Sequence, residues 1–403
     1  MSRRLVVSYS HNREFPPVQF VYLDNNATTQ LHPQVLDAFI ACSRERFGNP
    51  SSIHWAGRES RAALESAREQ VARFCSCDPS EVIFTSGGTE ADNLAIKGVA
   101  AASVRRGQHI ITTSVEHPAV LASCLNLEQN GYAITRLAVD RFGRIDLAQL
   151  EAAITPKTIL ISAMWANNET GVIFPVAGIG DIAARHRIPF HCDAVQAAGW
   201  LPLDVRALGI GLLTLSGHKL HAPKGVGALI TRKGVRLHAI LHGGGQERNR
   251  RAGTENLPAV VAFGVACELV AASQAEASDR VRLLRDQLEA GILGLCPGAV
   301  VNGNPTERLP NTTNISFPGA RVDSLLASLD LLGVAASSGA ACSSGTVRHS
   351  PVLAAMGISP ETAGGSIRFS LGRETTGEEI RYVLEILPTI LERLRPGNAP
   401  RGA

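Results

Sequence analysis

The sequence lacks a strong charge of either sign. Its 403 residues carry a formal net charge of only +3 at pH 7, and the basic residues are scattered apart from ERNRR at 247–251. A charge this small gives no reason to expect nucleic acid or an anionic membrane as a direct partner. The chain also lacks an apolar run of the roughly 20 residues that a membrane span needs. We therefore expect neither nucleic acid nor a membrane among the partners.

The sequence also lacks a dense cysteine framework. Cys75 and Cys77 form a C-x-C pair with no second pair nearby, so incidental thiols at a helix end are favoured over a metal site. The wide spacing of the cysteines predicts free thiols in a reducing compartment, and we expect a cytoplasmic protein. The eight cysteines are Cys42, Cys75, Cys77, Cys124, Cys192, Cys267, Cys296 and Cys342.

The first 21 residues lack a secretory signal. The apolar stretch after Arg3 and Arg4 runs only from Leu5 to Val7, which is too short for one. We predict that residues 1–21 are a disordered extension, with a short organellar transit segment as the alternative.

What the sequence does contain is an alternation of strand and helix patterns. Short apolar, partly β-branched stretches alternate with helical patterns such as 58–74 and 176–187, which predicts a mostly parallel sheet covered by helices on both faces. An edge strand is possible at 227–231. The predicted strands are 82–86, 109–114, 133–139, 158–165, 188–194 and 212–216.

The pattern changes after about residue 270. Amphipathic helices at 280–293 and 377–394 flank short strands at 311–317 and 365–371. The predicted fold is therefore α/β, with a large domain over residues 22–270 and a smaller α+β C-terminal domain over residues 271–403.

Two segments suggest binding groups at strand ends. FTSGGTEADNLAI at 84–96 is a strand, a glycine turn and a helix start, an arrangement that offers free backbone N–H groups to an anion such as phosphate. Taken alone, a plain turn with Thr89 as the helix cap is favoured. Asp193 ends an apolar strand, where a buried acid needs a cationic partner, although a helix-capping role is about equally good.

A third segment, LLTLSGHKLHAPKGVGALI at 212–230, favours ligand binding over helix capping as the role of Thr89 and Asp193. Lys219 follows an apolar strand end and comes directly after Ser216, Gly217 and His218. A desolvated amine at such a place can act as a nucleophile toward an aldehyde. Together with the phosphate turn and Asp193, it provides what pyridoxal phosphate needs: a Schiff-base lysine, a carboxylate for the ring nitrogen and a phosphate cup.

Ten ordered motifs extend this set to a family resemblance. The chain resembles the fold-type I pyridoxal-phosphate enzymes, within them the class V aminotransferase-like group, and most closely the cysteine desulfurases of the NifS/IscS type. The resemblance covers roughly residues 21 to 385. The motifs are YLDNNATT (22–29), FGNPSSIH (47–54), GGTEADN (87–93), EHPAV (116–120), NNETGVI (167–173), DAVQAAG (193–199), SGHKLHAPKGVGAL (216–229), GGGQERNRRAGTEN (243–256), SSGAACSSG (337–345) and SIRFSLGR (366–373).

The resemblance implies a role for each matching residue. Lys219 binds the cofactor and moves the substrate Cα proton, Asp193 keeps the ring nitrogen protonated, and His117 stacks on the ring as an acid/base group. Arg368 clamps the substrate carboxylate through two parallel hydrogen bonds. The remaining implied cofactor contacts are Gln196 and Asn168 at the ring oxygen (Asn168 also at the substrate), Gly88, Thr89, Ser216 and His218 at the phosphate, and Thr254 at the phosphate of a partner subunit.

The resemblance also gives Cys342 a function. In the family, the loop cysteine attacks the sulfur of substrate L-cysteine, leaving alanine and a persulfide, and the small residues around Cys342 supply a mobile tether. The form of this loop points to the branch that serves iron–sulfur cluster assembly. Ala341 replaces a serine found in many relatives, a small-for-small change. No metal site is firmly expected, although Cys342 could transiently ligate an iron–sulfur cluster.

The implied partners are a second copy of the chain and a sulfur acceptor. The acceptor could serve nitrogenase maturation, general cluster assembly, tRNA thiolation or cofactor synthesis. Three alternatives stay open: a related aminotransferase or selenocysteine lyase, a non-catalytic scaffold, and an enzyme that acts mainly as a docking hub for an iron–sulfur scaffold protein.

Overall fold

The computed structural model describes residues 15–339 and 350–394. In this part of the chain the strands are β1 (Val21–Tyr22), β2 (Val82–Thr85), β3 (His109–Thr113), β4 (Ala133–Leu137), β5 (Thr158–Met164), β6 (Phe190–Asp193), β7 (Leu212–Ser216), β8 (Gly227–Thr231), β9 (Val300–Asn302), β10 (Thr312–Ser316), β11 (Val334–Ala335) and β12 (Ser366–Ser370).

The helices of the described residues cover the sheets and connect them. They are α1 (Pro33–Glu45), α2 (Trp55–Phe74), α3 (Gly88–Ala102), α4 (Pro118–Gln129), α5 (Leu147–Ala152), α6 (Val176–Arg185), α7 (Gln246–Asn249), α8 (Leu257–Leu295), α9 (Val322–Leu331), α10 (Pro351–Ala355), α11 (Pro360–Ala363) and α12 (Gly377–Leu394).

A seven-stranded sheet forms the centre of the large domain. Its order is β2-β8-β7-β6-β5-β3-β4, and β8 is antiparallel to both neighbours while the other adjacent pairs are parallel. Every residue of β5, β6 and β7 is buried, as expected for a parallel sheet covered on both faces. The possible edge strand at 227–231 is instead the interior strand β8, because β2 pairs with its outer side.

A smaller sheet organises the C-terminal part. Strands β12, β10 and β9 are antiparallel in that order, and a separate apolar core lies between this sheet and the helices α9 and α12. Helix α12 covers residues 377–394 as predicted. The large parallel-type sheet and the smaller α+β unit confirm the predicted fold class.

The start of the described chain belongs to this second core. Val21 and Leu23 are buried there, and β1 pairs in parallel with β11. The segment after β1 therefore leaves the small domain and enters the large one.

Helix α8 connects the two units as one continuous element. The predicted domain boundary at residue 270 falls inside it. It is long and apolar enough to cross a membrane by length and composition, but half of its most apolar stretch is buried in the protein. Its contacts with α1, α2 and α12 are those of a core helix.

Candidate active site

The carboxyl ends of neighbouring parallel strands form the floor of the candidate site. Strand β6 ends at Asp193, and β7 beside it ends at Ser216 and continues into a short turn over Gly217–Lys219. Strand β3 leads to His117 through a short loop. Because parallel strands place their carboxyl ends at one edge, three predicted site residues meet there.

Lys219 reaches back from its turn to the segment before α1. Its Nζ donates hydrogen bonds to the carbonyl oxygens of Asn26 and Ala27, the latter at 2.8 Å. The amine is thus held at the floor of the site by acceptors, which leaves it close to a ligand at the strand ends.

Asp193 is buried, with 6% of its surface exposed. Its Oδ1 accepts a hydrogen bond from the Val195 backbone N–H at 2.9 Å. Burial raises the pKa of Asp193 to about 6, with Asp92 raising it further and His117 opposing the rise. A cationic ligand group beside this carboxyl would favour its ionised form, since an opposite charge stabilises a buried carboxylate.

His117 begins α4 and is oriented by its own helix. Its Nδ1 accepts a hydrogen bond from the Ala119 N–H at 3.1 Å, so the neutral ring carries its proton on Nε2. Burial lowers the pKa of His117, with Asp193 opposing and Lys219 adding to the shift. His117 is therefore close enough to Asp193 and Lys219 for their charges to affect its pKa.

The start of α3 forms a cradle against the end of β7. Gly87 precedes the helix without capping it through a side chain, so the first N–H groups point outward. A Cβ on Gly88 would lie 3.0 Å from Val195 Cγ2 and 3.5 Å from Ser216 Cβ. The glycine thus permits the close approach that brings Thr89 and the helix start to Ser216.

His218 lies in the turn that follows Ser216. Its Nδ1 lies 3.2 Å from the Thr28 hydroxyl, and burial lowers its pKa to about 4. A neutral histidine can donate a hydrogen bond to an anion without adding a fixed charge.

The glycine–arginine loop at 243–256 also reaches α3. Arg251 Nε donates to Glu90 Oε1 at 2.8 Å, in the first turn of the helix. Thr254 in the same loop is exposed. Its role toward a partner subunit stays a prediction.

Asn26 connects the floor of the site to the small domain, and sequence reasoning gave it no role. Its carbonyl accepts from Gln196 Nε2 at 3.0 Å and from Lys219. Its Nδ2 donates to the Asn168 carbonyl at 3.2 Å and to the hydroxyl of Thr312, on β10 of the small sheet, at 2.9 Å. The motif YLDNNATT was the available signal, because it adds polar side chains to a segment without helical or strand periodicity.

Arg368 lies on β12 and is 3% exposed. Its Nη2 donates to Asp24 Oδ1 at 2.7 Å and its Nη1 to the Asn168 carbonyl at 2.9 Å. Its Nε is buried without a hydrogen-bond partner among the described residues. The guanidinium is therefore rigid, close to Asn168, and has a donor left for a ligand carboxylate. Cys342 lies outside the described residues.

The buried carboxyl group of Asp92 lies next to strand β6, and the sequence analysis did not predict it. Asp92 of α3 is 3.5 Å from His191 Nε2, and the other ring nitrogen, Nδ1, is 2.9 Å from the Ser162 hydroxyl. Asp92 shares the buried face of α3 with Ala95 and Val99, at spacings of three and seven residues. That helical spacing was a readable signal for a buried acid.

The residues present fit pyridoxal phosphate. The uncapped helix start with its glycine cradle suits a phosphate, Asp193 suits a protonated ring nitrogen, and Lys219 suits an aldehyde. Ser216 borders the same cradle, and His218 follows it by two residues. The buried Asp193 carboxyl is costly to ionise without a cationic ligand group beside it.

Comparisons with known proteins agree with this geometry. A family model described as aminotransferase class-V matches residues 21–383. Cysteine desulfurase 2 of Trichormus variabilis is 52% identical over 93% of this chain and 94% of its own length. Cysteine desulfurase NifS of Azotobacter vinelandii is 46% identical over 94% of this chain and 96% of its own. A solved structure titled NIFS-LIKE PROTEIN is 39% identical, with a TM-score of 0.88, and covers 93% of this chain and 100% of its own.

Proposed function

The chain belongs to the aminotransferase class-V family, and we propose that it is a pyridoxal-phosphate-dependent cysteine desulfurase. It converts L-cysteine to L-alanine and takes the sulfur as a persulfide on Cys342. The observation that carries this proposal is the placement of Lys219, Asp193 and His117 after or at the carboxyl ends of β7, β6 and β3, with the buried Arg368 fork nearby. The names of the relatives support the same reaction.

The chain's own residues divide the reaction between them. Bound pyridoxal phosphate supplies an electron sink for charge that develops at the substrate Cα. Arg368 orients the substrate carboxylate, and Lys219 moves the Cα proton. His117 carries a proton on Nε2 that it can exchange with a neighbouring group. The buried Asp193 carboxylate favours a protonated ring nitrogen.

Cys342 carries out the remaining step, which is the transfer of sulfur from the substrate to the enzyme. Its thiolate attacks the substrate sulfur, the carbon–sulfur bond breaks, and the enzyme holds the added sulfur as a persulfide while the substrate carbon gains a proton and leaves as alanine. The reaction balances without an external oxidant, because one thiol and one L-cysteine give one persulfide and one alanine.

The cellular setting is part of the proposal. The persulfide supplies sulfur to an iron–sulfur scaffold or another acceptor protein. The protein acts as a homodimer in the cytoplasm. The exposed Thr254 next to the Arg251–Glu90 contact supports the dimer, and the free state of the seven described cysteines supports a reducing compartment.

One assay tests the proposal. The purified protein is incubated with L-cysteine and a reductant, and alanine and sulfide are measured together, without any keto acid. We expect equal amounts of both, and a Cys342→Ala variant that still binds the cofactor but releases almost no alanine. Alanine formation that requires a keto acid would indicate an aminotransferase. A Cys342→Ala variant active at the normal rate would indicate a lyase that needs no enzyme cysteine.

A further inference from the structure

Two described residues border the segment 340–349, and both contact the same buried side chain. Gly339 precedes the segment and Ser350 follows it. The Ser350 hydroxyl donates a hydrogen bond to Glu169 Oε2, and a Cβ on Gly339 would lie 3.0 Å from that same oxygen. Glu169 is 4% exposed. One carboxyl oxygen therefore sits between the entry and the exit of the segment that contains Cys342.

The entry is tied to the carboxylate clamp through the backbone. Ser337 donates its N–H to the Arg368 carbonyl at 3.2 Å, and Arg368 donates its N–H to the Ser337 carbonyl at 2.7 Å. The Ser337 hydroxyl accepts the Gly339 N–H at 3.1 Å. Gly339 has a φ of 83°, a conformation that favours glycine, so its position is set by the backbone as well as by Glu169.

Ser350, at the exit of the segment, is also held in place by two hydrogen bonds. The Ser350 hydroxyl accepts the Leu353 N–H at 3.0 Å as the cap of α10, while donating to Glu169. Its donor and one of its acceptor sites are both used, which fixes the direction of the hydroxyl.

These contacts limit how far the Cys342 sulfur can travel. Cys342 is three residues beyond Gly339, and three extended residues span at most about 11 Å. Glu169 follows Asn168, whose carbonyl accepts from the Arg368 fork. Gly339, from which this segment starts, therefore packs against Glu169, the sequence neighbour of Asn168.

We propose that Glu169 is a positioning residue that fixes both ends of the Cys342 segment against the Arg368 clamp and so sets the geometry of sulfur transfer. This inference rests on the proposed function. Glu169 does not touch the substrate; it acts through Gly339 and Ser350. Its effect is on the step that joins the Cys342 sulfur to the substrate sulfur, not on cofactor binding.

The test compares Glu169→Ala with Glu169→Gln. Gln keeps the size and an acceptor for Ser350, whereas Ala removes the acceptor and leaves only its Cβ beside Gly339. We expect Ala to keep the cofactor absorbance but to slow first-turnover alanine formation by about 100-fold, the loss that an ångström-scale misplacement can cause. Gln should restore the rate to within about threefold of wild type. Alkylation of Cys342 by iodoacetamide, followed by mass spectrometry without substrate, should become faster in Ala and return to normal in Gln.

A second pair of variants protects the test against a folding failure of Glu169→Ala. Ser350→Ala removes the exit contact and the α10 cap, while Ser359→Ala removes the comparable cap of α11, where Ser359 accepts the Thr362 N–H at 3.2 Å. We expect slower transfer only in Ser350→Ala.

Unchanged transfer in both Glu169→Ala and Ser350→Ala, or equal losses in Ser350→Ala and Ser359→Ala, would overturn the inference. These outcomes are separate from a failure of the proposed function, in which wild type itself would form no persulfide on Cys342.

Discussion

Replacing Asp92 by Asn should stabilise the protein, and the gain should grow as the pH rises. Asp92 is 1% exposed in α3, and its Oδ1 has no hydrogen-bond partner among the described residues. Burial raises its pKa to about 7, with the Thr214 hydroxyl opposing the rise. The neighbouring His191 offers little compensating charge, because burial lowers its pKa to about 4.

The magnitude follows from the difference between folded and unfolded protonation. The ordinary pKa of 3.8 and the folded value of about 7 differ by an amount that corresponds to roughly 4 kcal/mol of unfolding free energy. Between these two values the folded protein keeps a proton that the unfolded chain has lost, so stability falls as the pH rises through this range. From pH 5 to pH 8 the cost of Asp92 should grow by roughly 3 kcal/mol.

Asn keeps the shape and the acceptor for Thr214 without ionising. Urea unfolding of wild type and Asp92→Asn, followed by circular dichroism at pH 5 and pH 8, measures the difference. We expect a higher urea midpoint for Asp92→Asn at pH 8 and a smaller gain at pH 5. Asp279→Asn, the same change at a carboxylate that is 77% exposed on α8, should give only a small difference in the urea midpoint, because exposed side chains contribute little to stability. A stability gain in Asp92→Asn that is independent of pH would refute the reasoning.

Three further predictions concern single side chains. Arg368→Lys should raise the KM for L-cysteine at least tenfold while the cofactor absorbance stays, because the charge remains but the fork that binds Asp24 and the Asn168 carbonyl is lost; an unchanged KM would point to another clamp. Lys219→Ala should abolish borohydride trapping of the cofactor, and a label on Lys224 in wild type would contradict the assignment. Arg68→Met should cost about 3–5 kcal/mol in urea unfolding, because it leaves the buried Glu247 without its paired guanidinium; an unchanged midpoint would disprove this.

Local sequence patterns predicted the elements that depend on local periodicity. Helix α12 and the strands that end at Asp193 and Ser216 follow directly from apolar spacing, and so does the meeting of their ends at one edge of the sheet. The identity of these polar residues then predicted the chemistry, because each is the last residue of a buried strand.

Contacts between distant parts of the chain could not be predicted in this way. The ion pair of Asp24 with Arg368 joins residues 344 positions apart, and no local pattern records such a pairing. The interior place of β8 was missed for a similar reason: its pairing with β2 depends on how the whole sheet is ordered. Glu169 was quoted within a motif, yet its contact with both ends of segment 340–349 depends on tertiary structure.

The early position of Asp24 and Asn26 has a consequence for the order of events during synthesis. These two residues are synthesised early, but their partners Thr312 on β10 and Arg368 on β12 come more than 280 residues later. At 5–20 residues per second, Asp24 waits roughly 20 to 70 s for Arg368 to be made. Because the same segment supplies the carbonyls that hold Lys219, the amine has its complete surroundings only after nearly the whole chain exists. Cofactor capture with full affinity should therefore mark a finished polypeptide, and nascent chains truncated before β12 should bind it weakly.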